Sequence, residues 1–486
     1  MSDTTVRPRR SGPRLSAAPG WESAAPWVVG ALVAALLGAA LAGETDAYLG
    51  ATPSLLLVAA VCGAATFLVF GAIGYPAFLA WPVLTGIAYP FVRYPSGDPL
   101  VTFDRLWIVG LLGVIVLATT RVEHARQTRF LLVAVAALTA VYGARALATQ
   151  VDTLFPAKVW ADAIVLPFIL LVATVRLATS ERRITAIAGS LMIGGTLLAL
   201  LGIADLAVGL DLESYVGGER REELGIFRLS GPYGVPEPYG LALVVCLAAI
   251  CYWFFARMGG ARVIAVLLGL IQLTAIGLTL FRAVWIAAAL VIITTFGLRR
   301  GRLGRLLFVG AVLGVLVLGA GSQLTQTSLV SERLDNTDNI YGRLATYEQG
   351  LDIFRDAPLF GVGVDQYHDY AEELRPATVN GIESVTYPHS TFVGILAEQG
   401  LVGFVTLLIV CVAVWRVLHA LSRTAADPRA QALVGAGTGA ALGLLVMSLT
   451  LTMLPYGPSN AFFAILLGLV AAQLNLTIRD RPETPG

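Results

Sequence analysis

Runs of about twenty apolar residues recur from one end of this chain to the other, each long enough for a helix to cross a bilayer core of roughly 30 Å. They begin near Trp27, Pro53, Ile73, Asp104, Phe130, Trp160, Ile184, Tyr239, Arg262, Arg282, Leu303, Thr391, Gln431 and Ser459. A water-soluble fold has no interior large enough for them. The chain has 486 residues, of which 57% are hydrophobic and 13% charged, against roughly 45–50% and about 25% in soluble domains. The reading is an all-α integral membrane protein with about 12–14 transmembrane helices. The run from Ile73 to Phe91 is broken by Pro76, Pro82 and Pro90, so a full span and a re-entrant segment both stay open there.

The arginines set the orientation. With the N-terminus inside, the turns back to the cytoplasm hold Arg121, Arg126 and Arg129, then Arg182 and Arg183, then Arg257 and Arg262. The series continues through Arg299, Arg300, Arg302 and Arg305, then Arg416, Arg423 and Arg429, and ends at Arg479 and Arg481. Every cluster falls on one side, as the positive-inside rule requires, giving an N-in, C-in topology. Residues 1–25 read as a disordered cytoplasmic tail, 26–320 as an N-terminal transmembrane domain and 321–389 as an extracytoplasmic loop with an amphipathic helix. Residues 390–478 read as C-terminal transmembrane helices and 479–486 as a second cytoplasmic tail. The formal charge of +1 is silent on nucleic acid, and no such partner is expected. Cys62, Cys246, Cys251 and Cys411 lie in apolar runs without metal-ligand spacing, so they read as packing residues and no metal site is expected. Lys158 is the one lysine.

Four features depart from a plain bundle of spans. Between Val263 and Leu298 the only charge is Arg282; the segment makes two short spans, with the guanidinium at the outer tip of the hairpin. Such a charge is either a snorkelling anchor or functional, and intramembrane charge is functional by default. Arg228 precedes a turn-rich stretch, Leu229-Ser230-Gly231-Pro232-Tyr233-Gly234; alone it reads as a surface ion pair. His389 precedes Ser390, a potential cap for the helix opening at Thr391, and a helix N-terminus favours the neutral imidazole that a general base needs. Finally, Ile340, Leu344, Tyr347, Leu351 and Phe354 recur with helical spacing between Asn339 and Phe354, predicting a surface helix whose stripe faces the membrane domain. Arg343 lies off that stripe.

The run Gly342-Arg343, then Pro358-Leu359-Phe360-Gly361-Val362-Gly363, then Pro388-His389-Ser390, then Leu396-Ala397-Glu398-Gln399-Gly400-Leu401-Val402-Gly403 resembles the signature of the O-antigen ligase and polymerase family. The family more often has His-Asn where this chain has His389-Ser390. The resemblance implies a GT-C-type glycosyltransferase of a bacterial plasma membrane, inverting and independent of metal or cofactor. Its donor would be a polyprenyl-diphosphate-linked glycan and its acceptor a glycan or lipid, met among membrane lipids at the outer face. Arg228 and Arg282 match the family arginines that hold the donor diphosphate, Arg343 matches its Gly-Arg position, and His389 matches its proposed base. Nothing demands more than a monomer.

Two other readings stay open. A metal-dependent GT-C transferase would use carboxylates in the first outer loop, where Glu44 and Asp46 stand. A lipid-linked glycan flippase or transporter would carry an ionisable group within a span, where Asp205 is the candidate.

Overall fold

The computed structural model describes residues 51–94, 99, 101–117, 122–149, 155–212, 222–223, 226–297, 338–374 and 376–480. The expected spans that begin near Trp27 and Leu303, the N-terminal tail, residues 481–486, and Glu44 with Asp46 lie outside those residues. Within them the chain is all-α apart from three antiparallel pairs of two-residue strands. The helices are α1 (Ala51–Ile73), α2 (Tyr75–Ala88), α3 (Phe103–Leu117), α4 (Arg126–Ala148), α5 (Phe155–Trp160), α6 (Leu166–Leu177), α7 (Glu181–Val208), α8 (Pro236–Ala256), α9 (Gly260–Leu278) and α10 (Arg282–Gly297). After the next described start come α11 (Asp338–Asp356), α12 (Tyr367–Glu373), α13 (Thr391–Thr424), α14 (Pro428–Thr450) and α15 (Gly457–Arg479). A π turn, Ala161–Val165, joins α5 to α6 as one continuous span. Among the described residues 8 helices are long and apolar enough to cross a membrane, so this is a multi-pass membrane protein.

Its core is α8. Every residue from Pro236 to Tyr252 is buried, as befits a helix apolar all round that neighbours enclose. The neighbouring helices place the ends of the described spans in two groups. At one end Ala125 N donates to Asn475 Oδ1 (2.9 Å), Gln473 Nε2 donates to Glu181 Oε1 (2.6 Å), and Arg416 lies over the Phe130 ring. This arginine end gathers the described members of the clusters above. At the other, the loop end, Leu229 N donates to Leu278 O (3.1 Å), Arg145 Nη2 donates to Gly361 O (3.0 Å), and Thr391 N donates to Leu451 O (2.9 Å).

The proline-broken run joins the two ends. Gly74, with φ 69°, turns the chain through 119° between α1 and α2. Tyr75 Oη then donates to Arg183 O at the arginine end, while Tyr89, just past α2, packs edge-on against Tyr233 at the loop end. Phe78 and Trp81 between them are fully buried. Although only 14 residues long, α2 therefore passes through the protein interior from one face to the other.

Candidate active site

Arg282 is the first residue of α10, directly after the Thr279–Phe281 turn that follows α9. It is exposed at the hairpin tip. The hydrogen bond from Leu229 N to Leu278 O lays Arg228 alongside this same turn. Beyond it, the short Gly231–Tyr233 helix leads into α8.

Glycines set the level of Arg282 against α14. A β-carbon added to Gly443, Gly439 or Gly435 would fall within 2.7 Å of Ala287, Val291 or Thr295 in turn. The two helices thus run antiparallel at backbone contact, four residues against four. One more step of that register sets Ala283, next to Arg282, against Met447, next to Ser448. Ser448 is also where the histidine is anchored: Ser390 Oγ donates to Ser448 O (3.4 Å).

His389 is pinned from both sides. Tyr347 Oη donates to His389 O (3.3 Å) and to Leu449 O (2.9 Å). Thr452 Oγ1 donates to Pro388 O, Thr391 Oγ1 donates to Leu451 O (2.9 Å), and Met453 N donates to Thr391 Oγ1 (2.8 Å). The imidazole is half-buried and packs edge-on against Tyr387 with ring centroids 4.8 Å apart. Burial, and then the Arg343 guanidinium, lower its pKa from the ordinary value. Arg343 stands one helical turn before Tyr347 on α11, so a single helix supplies both the charge and the backbone clamp. Ser390 does occupy the N-cap position of α13 with an extended backbone, yet its hydroxyl makes no capping bond; it is spent on Ser448 instead.

The surface helix needs a correction. α11 packs through Ala345, Thr346, Gln349 and Ile353, which are buried, while Ile340, Leu344 and Leu351 are exposed. The small and polar residues win the protein contact because Thr346 and Gln349 find partners there: Val385 N donates to Thr346 Oγ1 (3.1 Å) and Gln349 Nε2 donates to Ala371 O (3.0 Å). Of the apolar stripe, Ile340, Leu344 and Leu351 are left exposed, while Tyr347 turns in towards His389.

The glycine motifs turn out to form one joint. α13 breaks at Gly400 (φ 62°, ψ −159°). The amides freed by the break, Leu401 N and Val402 N, donate to Pro358 O (2.9 Å) and Leu359 O (3.2 Å). The freed carbonyls of Ala397 and Glu398 accept from Val362 N (3.0 Å) and Gly363 N (2.9 Å). Four backbone bonds thus lock the Pro358–Gly363 turn into the kink. Gly361 sits so close that a β-carbon would lie 2.2 Å from the Glu398 carbonyl carbon.

Two cavities open near this end. One, of about 530 Å³, is apolar and runs from Thr391 and Ser448 past Leu407 to Trp415 and His419. The other, of about 300 Å³, is lined by Arg93, Arg105 and Lys158 among others. Asp205, by contrast, is 2% exposed and its Oδ1 accepts from Leu212 N (3.2 Å), tying off the turn that ends α7.

Residues 264–408 match the O-antigen ligase family. Arg282, Arg343, His389 and the Gly361–Gly400 joint all lie inside the matched segment, with Arg228 outside. The chain is also similar to the exopolysaccharide production protein ExoQ of Rhizobium meliloti (strain 1021), at 26% identity over 235 residues. That match covers 46% of this chain and 51% of the relative, so the chain spans about half the length of the curated relative it matches. Sequence reasoning placed Tyr347 on the apolar stripe without its role at His389, and passed over the Ser448–Met453 turn, whose one signal, a polar break at the end of an apolar run, is shared by other spans.

Proposed function

We propose that this protein is a membrane glycosyltransferase that moves a glycan from a polyprenyl-diphosphate carrier to an acceptor hydroxyl at the extracytoplasmic face, as a ligase or a polymerase. What supports this reading is that Arg228 and Arg282, beside the α9–α10 turn, lie at the same end of the bundle as His389 and Arg343. The acceptor oxygen attacks the anomeric carbon while its proton passes to the His389 imidazole. The bond from that carbon to the diphosphate oxygen breaks, and the electron pair leaves with the diphosphate. Guanidiniums of Arg228 and Arg282 take up the growing negative charge through paired N–H donors. One displacement inverts the anomeric centre. Because arginine supplies the positive charge, activity should not need a divalent cation. The apolar cavity that opens beside Thr391 and Ser448 gives the donor's polyprenyl tail a place within the bundle. The tie between Asp205 and Leu212 weakens the transport reading, since that carboxylate is committed to a turn.

Purified protein supplied with a polyprenyl-diphosphate oligosaccharide and an acceptor glycan should form the new glycosidic bond in EDTA, with inverted configuration by NMR. Transfer that stops in EDTA would return attention to a metal-dependent site. Movement of the donor across vesicles without bond formation would replace the transferase reading by transport.

A further inference from the structure

The exposed part of α11 is divided lengthwise between apolar and charged residues. At about 3.6 residues per turn, Ile340, Leu344 and Leu351 fall within one arc of about 40°, and all three are exposed. Arg355, Glu348 and Asp352 follow within about 80° on one flank and are exposed as well. On the other flank come Tyr347, Phe354 and Arg343, half-buried, before the buried face of Gly350, Thr346 and Ile353. A helix between protein and water needs two sides, one packed and one polar. α11 has a third, apolar and covered by none of the described residues, set between them.

That third side continues the apolar surface of the spans at two points. At the first, Tyr347, next to the apolar arc, donates its hydroxyl to His389 O (3.3 Å) and Leu449 O (2.9 Å), so this edge of α11 rests on the loop ends of α13 and α14. Leu449 ends the exposed line Leu442, Leu445 and Leu449 on α14, the first two of which also line the apolar cavity. On a membrane-crossing helix such a line meets hydrocarbon. At the second point, exposed Leu359 and Phe360 sit in the turn whose Pro358 and Leu359 carbonyls accept from Leu401 N (2.9 Å) and Val402 N (3.2 Å) of α13. Leu401 opens the exposed line Leu401, Val405, Leu408 and Val412 on that helix. The charged flank of α11 lies on the side of the arc away from Tyr347.

We propose that α11 and the Leu359–Phe360 turn are seated in the headgroup layer of the membrane at the loop end, with lipid as the partner of the apolar arc. Ile340, Leu344 and Leu351 enter the boundary between headgroups and acyl chains while Glu348, Asp352 and Arg355 stay in water, the arrangement of an amphipathic helix lying in the membrane plane. Continuity decides the occupant: hydrocarbon covers the spans at both points where the arc and the turn begin, and a protein partner would have to displace lipid there. Arg343 and the His389 imidazole, on the protein side of the arc, are thereby held at headgroup depth. This seating goes beyond the transfer reading and does not depend on it.

The test uses the unmodified full-length protein in nanodiscs containing a phospholipid with a diazirine near the top of one acyl chain. Photolysis should place lipid adducts on Leu344, Leu351 and Phe360 several-fold above those on the exposed turn at Asn380 and Gly381. No adducts on α11 in a sample labelled at Leu408 of α13 overturns the proposal. A second measurement places single nitroxides on α11 in a background with Cys62, Cys246, Cys251 and Cys411 replaced. Labels on Leu344→Cys and Leu351→Cys should collide with oxygen more often than with a water-soluble nickel chelate, and labels on Glu348→Cys and Asp352→Cys the reverse. Equal access of the chelate to all four positions overturns the seating in favour of a helix in water. Protection of Leu344→Cys and Leu351→Cys from both reagents overturns it too, since a second copy or another segment of this chain would then cover the arc.

Discussion

At the scale of single residues, His389 and Arg343 are coupled through charge. A general base works deprotonated, so its rate rises with pH through the pKa of the imidazole. Burial and Arg343 both lower that pKa from the ordinary value, which keeps His389 neutral and ready at pH 7. Arg343→Gln removes one of the two causes, so the pKa rises and the acid limb of the pH–rate profile moves to higher pH. The loss should therefore be greater at pH 6 than at pH 8, and a limb that does not move would separate Arg343 from the base. His389 and Arg282 were legible in the sequence because a charged or titratable group at the edge of apolar spans stands out against its surroundings. Tyr347 was not. Its phenol reaches His389 O across 42 positions of sequence, and no local pattern encodes a clamp between elements so far apart.

At the scale of elements, the Pro358–Gly363 turn and the Gly400 kink explain each other. A helix broken mid-span exposes amides and carbonyls that the hydrocarbon region cannot satisfy, and the turn satisfies four of them. This is a structural reason for the two glycine motifs to occur together. Gly361→Ala would place a side chain at φ 67° against the Glu398 backbone. It should lower stability by about 2 kcal/mol or more, seen as a depressed melting temperature, and weaken transfer by loosening the loop that ends at His389. An unchanged melting temperature would mean that the joint is not needed. The same scale shows where periodicity misled. The helix at 338–356 followed from its spacing, but which face it packs did not, because hydrogen bonds from Thr346 and Gln349 outbid an apolar stripe that a bilayer surface can cover instead.

At the scale of the whole molecule, the sequence made the span order and the two ends readable because each span needs its own apolar run and the arginine clusters alternate with them. Among the basic residues that do not follow that alternation, Arg93, Arg105, Lys158, Arg228, Arg282 and Arg343 belong to the loop end. Arg93, Arg105 and Lys158 were not picked out, since they lie far apart in the chain and only the packing of α3 against the α5–α6 span brings them to one cavity. If the loop end is extracytoplasmic, a cysteine replacing exposed Asp369 should react in intact cells with a membrane-impermeant maleimide, while one replacing exposed Arg429 should react only after lysis; the opposite pattern would invert the topology. The central claim is that this end assembles one transfer site around His389. The most direct measurement is single-turnover transfer from a saturating polyprenyl-diphosphate oligosaccharide by the wild type and by His389→Ala. Loss of the base should slow bond formation by roughly 10²–10⁴-fold with donor affinity and melting temperature retained, and a His389→Ala rate within a few-fold of wild type would contradict the account.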